Sequence, residues 1–187
     1  MGNIIRFAPR RFGDERGWFS EVFNARREAT HGIDVDFVQD NQSYSSLSGT
    51  VRGIHFQRPP HAQAKLVRCS RGRLIDYAVD LRRGSPTYGR HVETELTAEN
   101  GQQLFVPVGY GHAFITLEPD TEISYKVSDY YDAACDGGLR WDCPEIAIDW
   151  PDIGTVILSE RDLTLPSLAD FDSPFAYDGV PMHMISL

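Results

Sequence analysis

Apolar and polar positions alternate in short runs over most of the chain, and the period is that of strands. Runs of this kind fall at 35–41, 50–57, 63–70, 73–81, 88–96, 102–107, 112–117 and 121–128, with Gly, Pro, Asn or Asp in most of the gaps. Pro59 and Pro60, in Arg58-Pro59-Pro60-His61-Ala62, stop any ladder and turn the chain. Arg71-Gly72-Arg73 is a tight reversal. Earlier, Phe12 to Phe19 reads as a turn and an aromatic strand start that Glu21 and Phe23 continue. Residues 24–32 form a short helix, with Asn24 as N-cap and Gly32 as stop. A second helix start is predicted at Ser159, the N-cap, with Asp162 at its third position. Residues 166–187 carry three prolines and little periodicity, which predicts a poorly ordered or wrapping tail. Regular short strands with little helix predict an all-β sandwich or barrel. There is no dinucleotide or P-loop glycine motif and no internal repeat.

One strand contains a conflict. Strict alternation puts Val51, Gly53, His55 and Gln57 on one face and Arg52 on the other. Arg52 and His55 share a pocket only if Gly53 marks a bulge or bend, as glycine in a strand often does. In the next strand Gln63, Lys65 and Val67 share a face, and later Ile123, Tyr125 and Val127 do.

The length of 187 residues fits one domain, 1–187, with a sizeable core. A net charge of -9 argues against nucleic acid and anionic membranes as partners, while leaving room for a local basic pocket. No run approaches the roughly eighteen apolar residues of a membrane span. The start lacks an apolar signal core, and Arg6 stands where a myristoylation signal has Ser or Thr. Three cysteines, Cys69, Cys135 and Cys143, without a CxxC pair, fit a reducing cytoplasm.

The chemistry concentrates in two strands. Arg52, His55, Gln57, Gln63 and Lys65 are too many polar groups to bury for stability alone. A neutral imidazole beside an ammonium suits proton abstraction next to a carbonyl: one group takes the proton and the other holds the enolate. His112 follows Pro107-Val108-Gly109-Tyr110-Gly111, the PxGxxH spacing of the second metal-binding motif of cupins. The first cupin motif, HxH, is absent, since the chain has His55-Phe56-Gln57. The usual following carboxylate is absent from 58–64 as well, so no metal is expected. Tyr125 reads equally as a core aromatic or a proton donor. Tyr130-Tyr131 and Trp18-Phe19 read as core or as stacking platforms, and Arg16 from its own stretch reads as a solvated turn charge.

Taken in order, FGDERGWF (12–19), FVQDN (37–41), VRGIHFQ (51–57), AQAKLVRC (62–69), DYAVDLRRGSPTYG (76–89), LFVPVGYGHAF (104–114), SYKVSDYY (124–131) and IDWPDIGTVILSERD (148–162) resemble the dTDP-4-dehydrorhamnose 3,5-epimerase family, the RmlC-like cupins. The resemblance implies a cupin-type jelly-roll barrel, a homodimer, no cofactor, and a dTDP-linked 4-keto-6-deoxyhexose as substrate. It implies that His55 is the base, Asp162 its orienting carboxylate, Tyr125 the donor on the opposite face, and Lys65 the enolate-stabilising cation. Arg52 and His112 would line the sugar and phosphate end. Gln39, Asn41, Asp136 and Arg161 would contact nucleotide and diphosphate, and Tyr131 would stack on the base. Arg16, Glu21 and the Trp18-Phe19 pair would reach a site across the dimer. The family often has Gly, Glu and Lys where this chain has Ala113, Asp136 and Arg161; Arg and Lys differ in geometry. An enzyme inverting only carbon 3 or only carbon 5 would use the same acid/base residues. A metal-dependent cupin and a non-catalytic sugar-nucleotide binding module are the readings of other classes.

Overall fold

The computed structural model describes residues 2–187, in which the alternating runs become two facing sheets. The strands are β1 (Ile4–Phe7), β2 (Arg11–Asp14), β3 (Gly17–Ser20), β4 (Gln39–Ser45), β5 (Val51–Gln57), β6 (Lys65–Arg71) and β7 (Arg73–Asp80). They continue with β8 (His91–Thr97), β9 (Gln103–Val106), β10 (Tyr110–Thr116), β11 (Thr121–Val127), β12 (Asp136–Gly138) and β13 (Met184–Ser186). The helices are α1 (Ala25–Thr30) and α2 (Glu160–Leu163). One sheet has the order β13-β1-β9-β6-β11-β4 and the other β12-β5-β10-β7-β8, with β2-β3 a separate hairpin. This is an all-β jelly roll of the cupin type with short peripheral helices.

Period-two alternation gives each sheet an inner and an outer face. The inner faces meet around Val67, Leu74, Leu104, Phe114 and Ile123. The outer face of the five-stranded sheet, with Ile54, Phe56 and Tyr77, is covered by the chain from Leu139 to Phe175. The outer face of the six-stranded sheet, with Ile5, Leu66 and Phe105, is covered by Phe23, Ile33 and Phe37. Among the described residues no helix is long and apolar enough to cross a membrane.

The bulge expected at Gly53 is present. His112 stands opposite His55 and Phe114 opposite Arg52, so Gly53 and Ile54 together face Ala113 alone. The extra residue reverses the parity, and Arg52 joins His55 on the inner side. Only glycine fits here: its φ is 140°, and a Cβ would fall on Ala113, 2.6 Å from its Cα.

Several elements differ from the sequence reading. β1 and β13 lie outside the predicted runs and pair in parallel, Ile4 with Met184. β3 ends at Ser20, so Glu21 and Phe23 do not extend it; Phe23 turns into the outer core against Phe37. The strand predicted at 35–41 begins at Gln39 and runs to Ser45. Both helix caps form: Asn24 accepts from the Arg26 and Arg27 amides, and Ser159 accepts from the Asp162 amide.

The tail wraps the barrel. Phe171 and Phe175 pack on Phe56, with centroids 5.1 and 5.8 Å away. Arg82, fully buried, donates to both oxygens of Asp80 at 2.9 Å and also to Asp178 and the Val180 carbonyl, both at 2.9 Å, fastening the tail. Removing one partner of a buried pair leaves the other charge uncompensated. Arg82→Met is therefore expected to destabilise the protein by roughly 3–5 kcal/mol, read from its denaturant midpoint.

Candidate active site

β5, β12 and the α2 region on one side, and β4, β6 and β11 on the other, enclose a cavity of about 230 Å³ at one end of the barrel. Its wall includes Gln39, Asn41, His55, Lys65, Tyr125, Tyr131, Asp136 and Arg161, eight of the residues proposed from sequence. Residues far apart in the chain meet because the two sheets face each other. Tyr125 stands opposite Asn41 on β4 and Val67 on β6, and Val127 stands opposite Gln39 and Lys65. From the other sheet come His55 and Asp136, the latter opposite Gln57 on β12.

His55 and Asp162 form the tightest pair. The Nε2–Oδ1 distance is 2.6 Å across 107 positions of sequence. With Nε2–H donated to the carboxylate, the lone pair resides on Nδ1. Asp162 is held at the start of α2 by the Ser159 cap and is 2% exposed. Burial opposes its charge, but the hydrogen bond and charge of His55 outweigh that, with help from Ser159 and Arg161, and hold the carboxyl below its usual range. The imidazole has room because β12 opposite it carries no side chain at Gly138. A Cβ there would lie 3.3 Å from the His55 imidazole, and also 2.7 Å from the Ile54 carbonyl and 2.8 Å from Leu165.

Lys65 is pushed by burial down to about 8; attraction to Asp76 and Asp136 opposes the shift and Arg161 adds to it. Its Nζ lies 3.5 Å from the His55 carbonyl. Burial raises the Tyr125 phenol, with the Arg52 charge acting against it, so Tyr125 is a neutral O–H donor near pH 7. The cavity thus holds a carboxylate-supported imidazole, a cation that can lose its proton, and a phenol.

His112 lies beneath this set rather than in the wall. Its Nε2 contacts both oxygens of fully buried Asp76 at 2.8 and 3.0 Å, and burial lowers the imidazole against the pull of that carboxylate. The sequence reading missed Asp76. Its signal was a carboxylate on the inner parity of an apolar strand, between Leu74 and Ala78. Arg52 shares the inner side but is exposed at the rim, where Nη2 donates to the Tyr44 carbonyl at 3.1 Å. Arg161 of α2 and Asp136 of β12, on the same side of the cavity, form an ion pair of 2.7 Å. Gln39 already accepts from the Tyr131 amide at 3.0 Å and donates to Asn41 at 2.8 Å.

Arg16 and Glu21 are not brought to the cavity within one chain. Arg16 sits at the tip of the β2-β3 hairpin, paired with Asp14 and 90% exposed. Glu21 accepts from Asn24 and lies 3.5 Å from Arg27. Trp18 and Phe19 of the same hairpin are 58% and 69% exposed. The donor set does not suit a metal: among the described residues no three His, Cys, Asp or Glu side chains converge, and His55 and His112 each have Nε2 engaged by a carboxylate.

A jelly roll whose open end carries an imidazole–carboxylate pair, an ammonium and a phenol defines a cupin-type protein with an acid–base cavity. The family model described as dTDP-4-dehydrorhamnose 3,5-epimerase matches residues 1–170, and the chain belongs to that family. A dTDP-4-dehydrorhamnose 3,5-epimerase of Sinorhizobium fredii is 56% identical over 177 residues, which are 95% of this chain and 91% of that protein. The crystal structure of the Bacillus anthracis dTDP-4-dehydrorhamnose 3,5-epimerase, with TDP and PPi bound, matches with a TM-score of 0.83 and 47% identity, over 86% of this chain and 91% of the other. The Legionella pneumophila enzyme in complex with dTDP-4-keto-L-rhamnose matches with a TM-score of 0.84 and 39% identity, over 94% of this chain and 90% of the other.

Proposed function

We propose that this chain inverts carbons 3 and 5 of dTDP-4-keto-6-deoxy-D-glucose to give dTDP-4-keto-L-rhamnose, with no step that needs a cofactor. The observation that carries the reading is the 2.6 Å His55–Asp162 pair on a cavity shared with Lys65 and Tyr125. Both carbons flank the ketone at carbon 4, so loss of either proton gives an enolate. His55 takes the proton, and the pair of electrons left behind moves onto the carbonyl oxygen. Lys65 supplies positive charge where that oxygen becomes negative, and Asp162 supports the imidazolium. Tyr125 returns a proton to the same carbon from the opposite face. Exchange with water then resets His55 and Tyr125, and no atom or electron is gained.

Inversion needs groups on two faces, and here they come from two sheets: His55 from β5 and Tyr125 from β11. Lys65, Arg161 and Arg52 bring three cations to the cavity end, beside the carboxylates of Asp136 and Asp162, and offer charged donors to a diphosphate in a chain of net charge -9. We assign Tyr131 to the nucleotide base, and Gln39, Asn41, Asp136 and Arg161 to nucleotide and diphosphate. His112 is assigned to the sugar end. We further read the chain as one domain that acts as a cytoplasmic homodimer. The exposed aromatic hairpin supports the homodimer, since a second copy could cover Trp18 and Phe19 and bring Arg16 and Glu21 to its neighbour's cavity.

Proton NMR in deuterated water with dTDP-4-keto-6-deoxy-D-glucose tests the reading. Deuterium at both carbon 3 and carbon 5, unchanged by a chelator, is the expected result. Deuterium at one carbon alone would make the chain a single epimerase. A chelator-sensitive reaction, or no deuterium at either position, would overturn the proposal.

A further inference from the structure

Gln57 ends β5, two residues beyond His55, and is 4% exposed. Its amide engages only main-chain groups of two loops. Nε2 donates to the His61 carbonyl at 2.6 Å and to the Tyr130 carbonyl at 3.1 Å, and Oε1 accepts from the Asp132 amide at 2.7 Å. Tyr131, between the last two contacts, is thus pinned on both sides through its neighbours' backbone. Its own amide donates to Gln39 at 3.0 Å, and its side chain, 60% exposed, has one weak bond, from the hydroxyl to Asp136 at 3.4 Å. Further along, the same segment reaches Asp136, which pairs in register with Gln57 and stands 2.7 Å from Arg161. Gln63 adds one bond to the loop, to the Asp129 carbonyl at 2.8 Å.

A buried amide with its donors and acceptor directed at backbone is an expensive way to fill space, because any of the three groups it serves would be left unpaired without it. We infer that Gln57 is a positioning residue for substrate binding: from the strand that carries His55, it sets the 129–136 loop at the height where Tyr131 and Asp136 meet the nucleotide. This rests on the reading of Tyr131 as a nucleotide contact. Gln57 takes no part in the proton transfers, so its loss should act on binding and leave chemistry in place.

The test uses Gln57→Leu, Tyr131→Ala and the double variant in the full chain, with dTDP as the binding probe and the 4-keto sugar nucleotide for kinetics. Gln57→Leu is expected to raise the dTDP Kd and the substrate KM about tenfold, with kcat within about threefold of the parent. The double variant is expected to bind no more weakly than the weaker single variant, since both lose the same contact. Should Gln57→Leu fail to fold, Gln63→Leu loosens the same loop through one bond and is expected to raise the dTDP Kd by about threefold, again without adding to Tyr131→Ala. Parental affinity in a folded Gln57→Leu, with Tyr131→Ala weakened, overturns the inference alone. So do additive losses in the double variant, or a fall in kcat with KM unchanged. Parental affinity in Tyr131→Ala overturns the nucleotide reading of that residue, and the inference with it.

Discussion

His55→Ala is expected to lower turnover of the 4-keto sugar nucleotide by about 10²–10⁴-fold, the range associated with a positioned general base. The imidazole is about a quarter exposed and lines a cavity, so an alanine there leaves the apolar core intact, and buried Asp162, though it loses its partner at some cost in stability, keeps the support of Ser159 and Arg161. The fold should therefore survive, with a circular dichroism spectrum like that of the parent. Deuterium exchange at carbons 3 and 5 should fall with turnover, because the lost step is proton removal. Asp162→Asn should lose much of the same rate with His55 still present. The 2.6 Å partner of Nε2 would no longer carry the charge that supports an imidazolium. Turnover near the parental rate in His55→Ala would remove it from the mechanism.

Lys65→Ala is expected to reduce kcat by about 10²–10³-fold, the scale for loss of one donor aimed at developing charge. The effect also has a pH signature. The ammonium is the working form, and burial brings its pKa down to about 8. Below that value the group is protonated and active. Above it the proton leaves, and kcat/KM of the free enzyme should fall as pH rises, with a midpoint near 8. Asp76 and Asp136 hold the value up, while Arg161 and desolvation hold it down, so Asp136→Asn should move the midpoint downward. Lys65→Arg keeps the charge across the range and should abolish the alkaline fall, at a lower rate because a planar guanidinium does not match a point ammonium. A profile flat through pH 9 in the parent would count against Lys65 as the titrating cation.

Much of the fold was legible because most strands bury an apolar face, and the exceptions have physical causes. β4 reads QDNQSYS, with little apolar alternation, because Gln39 and Asn41 on its inner side line the cavity. Just before it, Phe37 packs on the outer core while Val35 and Val38 are exposed, and this apolar run drew the predicted strand four residues too early. Parity alone located the bulge, since Arg52 and His55 on one side require an extra residue and Gly53 was the position able to supply it. For the tail, wrapping was one of two readings, and its contacts were not legible because a segment crossing a sheet as a wrap has no period: Phe171, Phe175 and Asp178 each find a partner singly.

The site divides in the same way. His55, Lys65 and their polar neighbours stood out as too many hydrophilic groups in core strands. The 107-residue reach from His55 to Asp162 and the roles of the remaining set came with the family resemblance and not from spacing. Asp76 went unnoticed because a single carboxylate in a strand reads as a solvated position until its parity is compared with Leu74 and Ala78. Arg16 and Glu21 remain away from the cavity within one chain, and a second copy is where their proposed role would have to be met.

The central claim is that proton removal and proton return use different groups on opposite faces, His55 and Tyr125. The most direct measurement is proton NMR of Tyr125→Phe with dTDP-4-keto-6-deoxy-D-glucose in deuterated water, following exchange and inversion together. The expected result is that solvent deuterium still enters next to the ketone, through His55, while formation of the inverted sugar falls by about 10²-fold or more. Inversion at the parental rate in Tyr125→Phe would contradict it, as would loss of exchange in step with inversion.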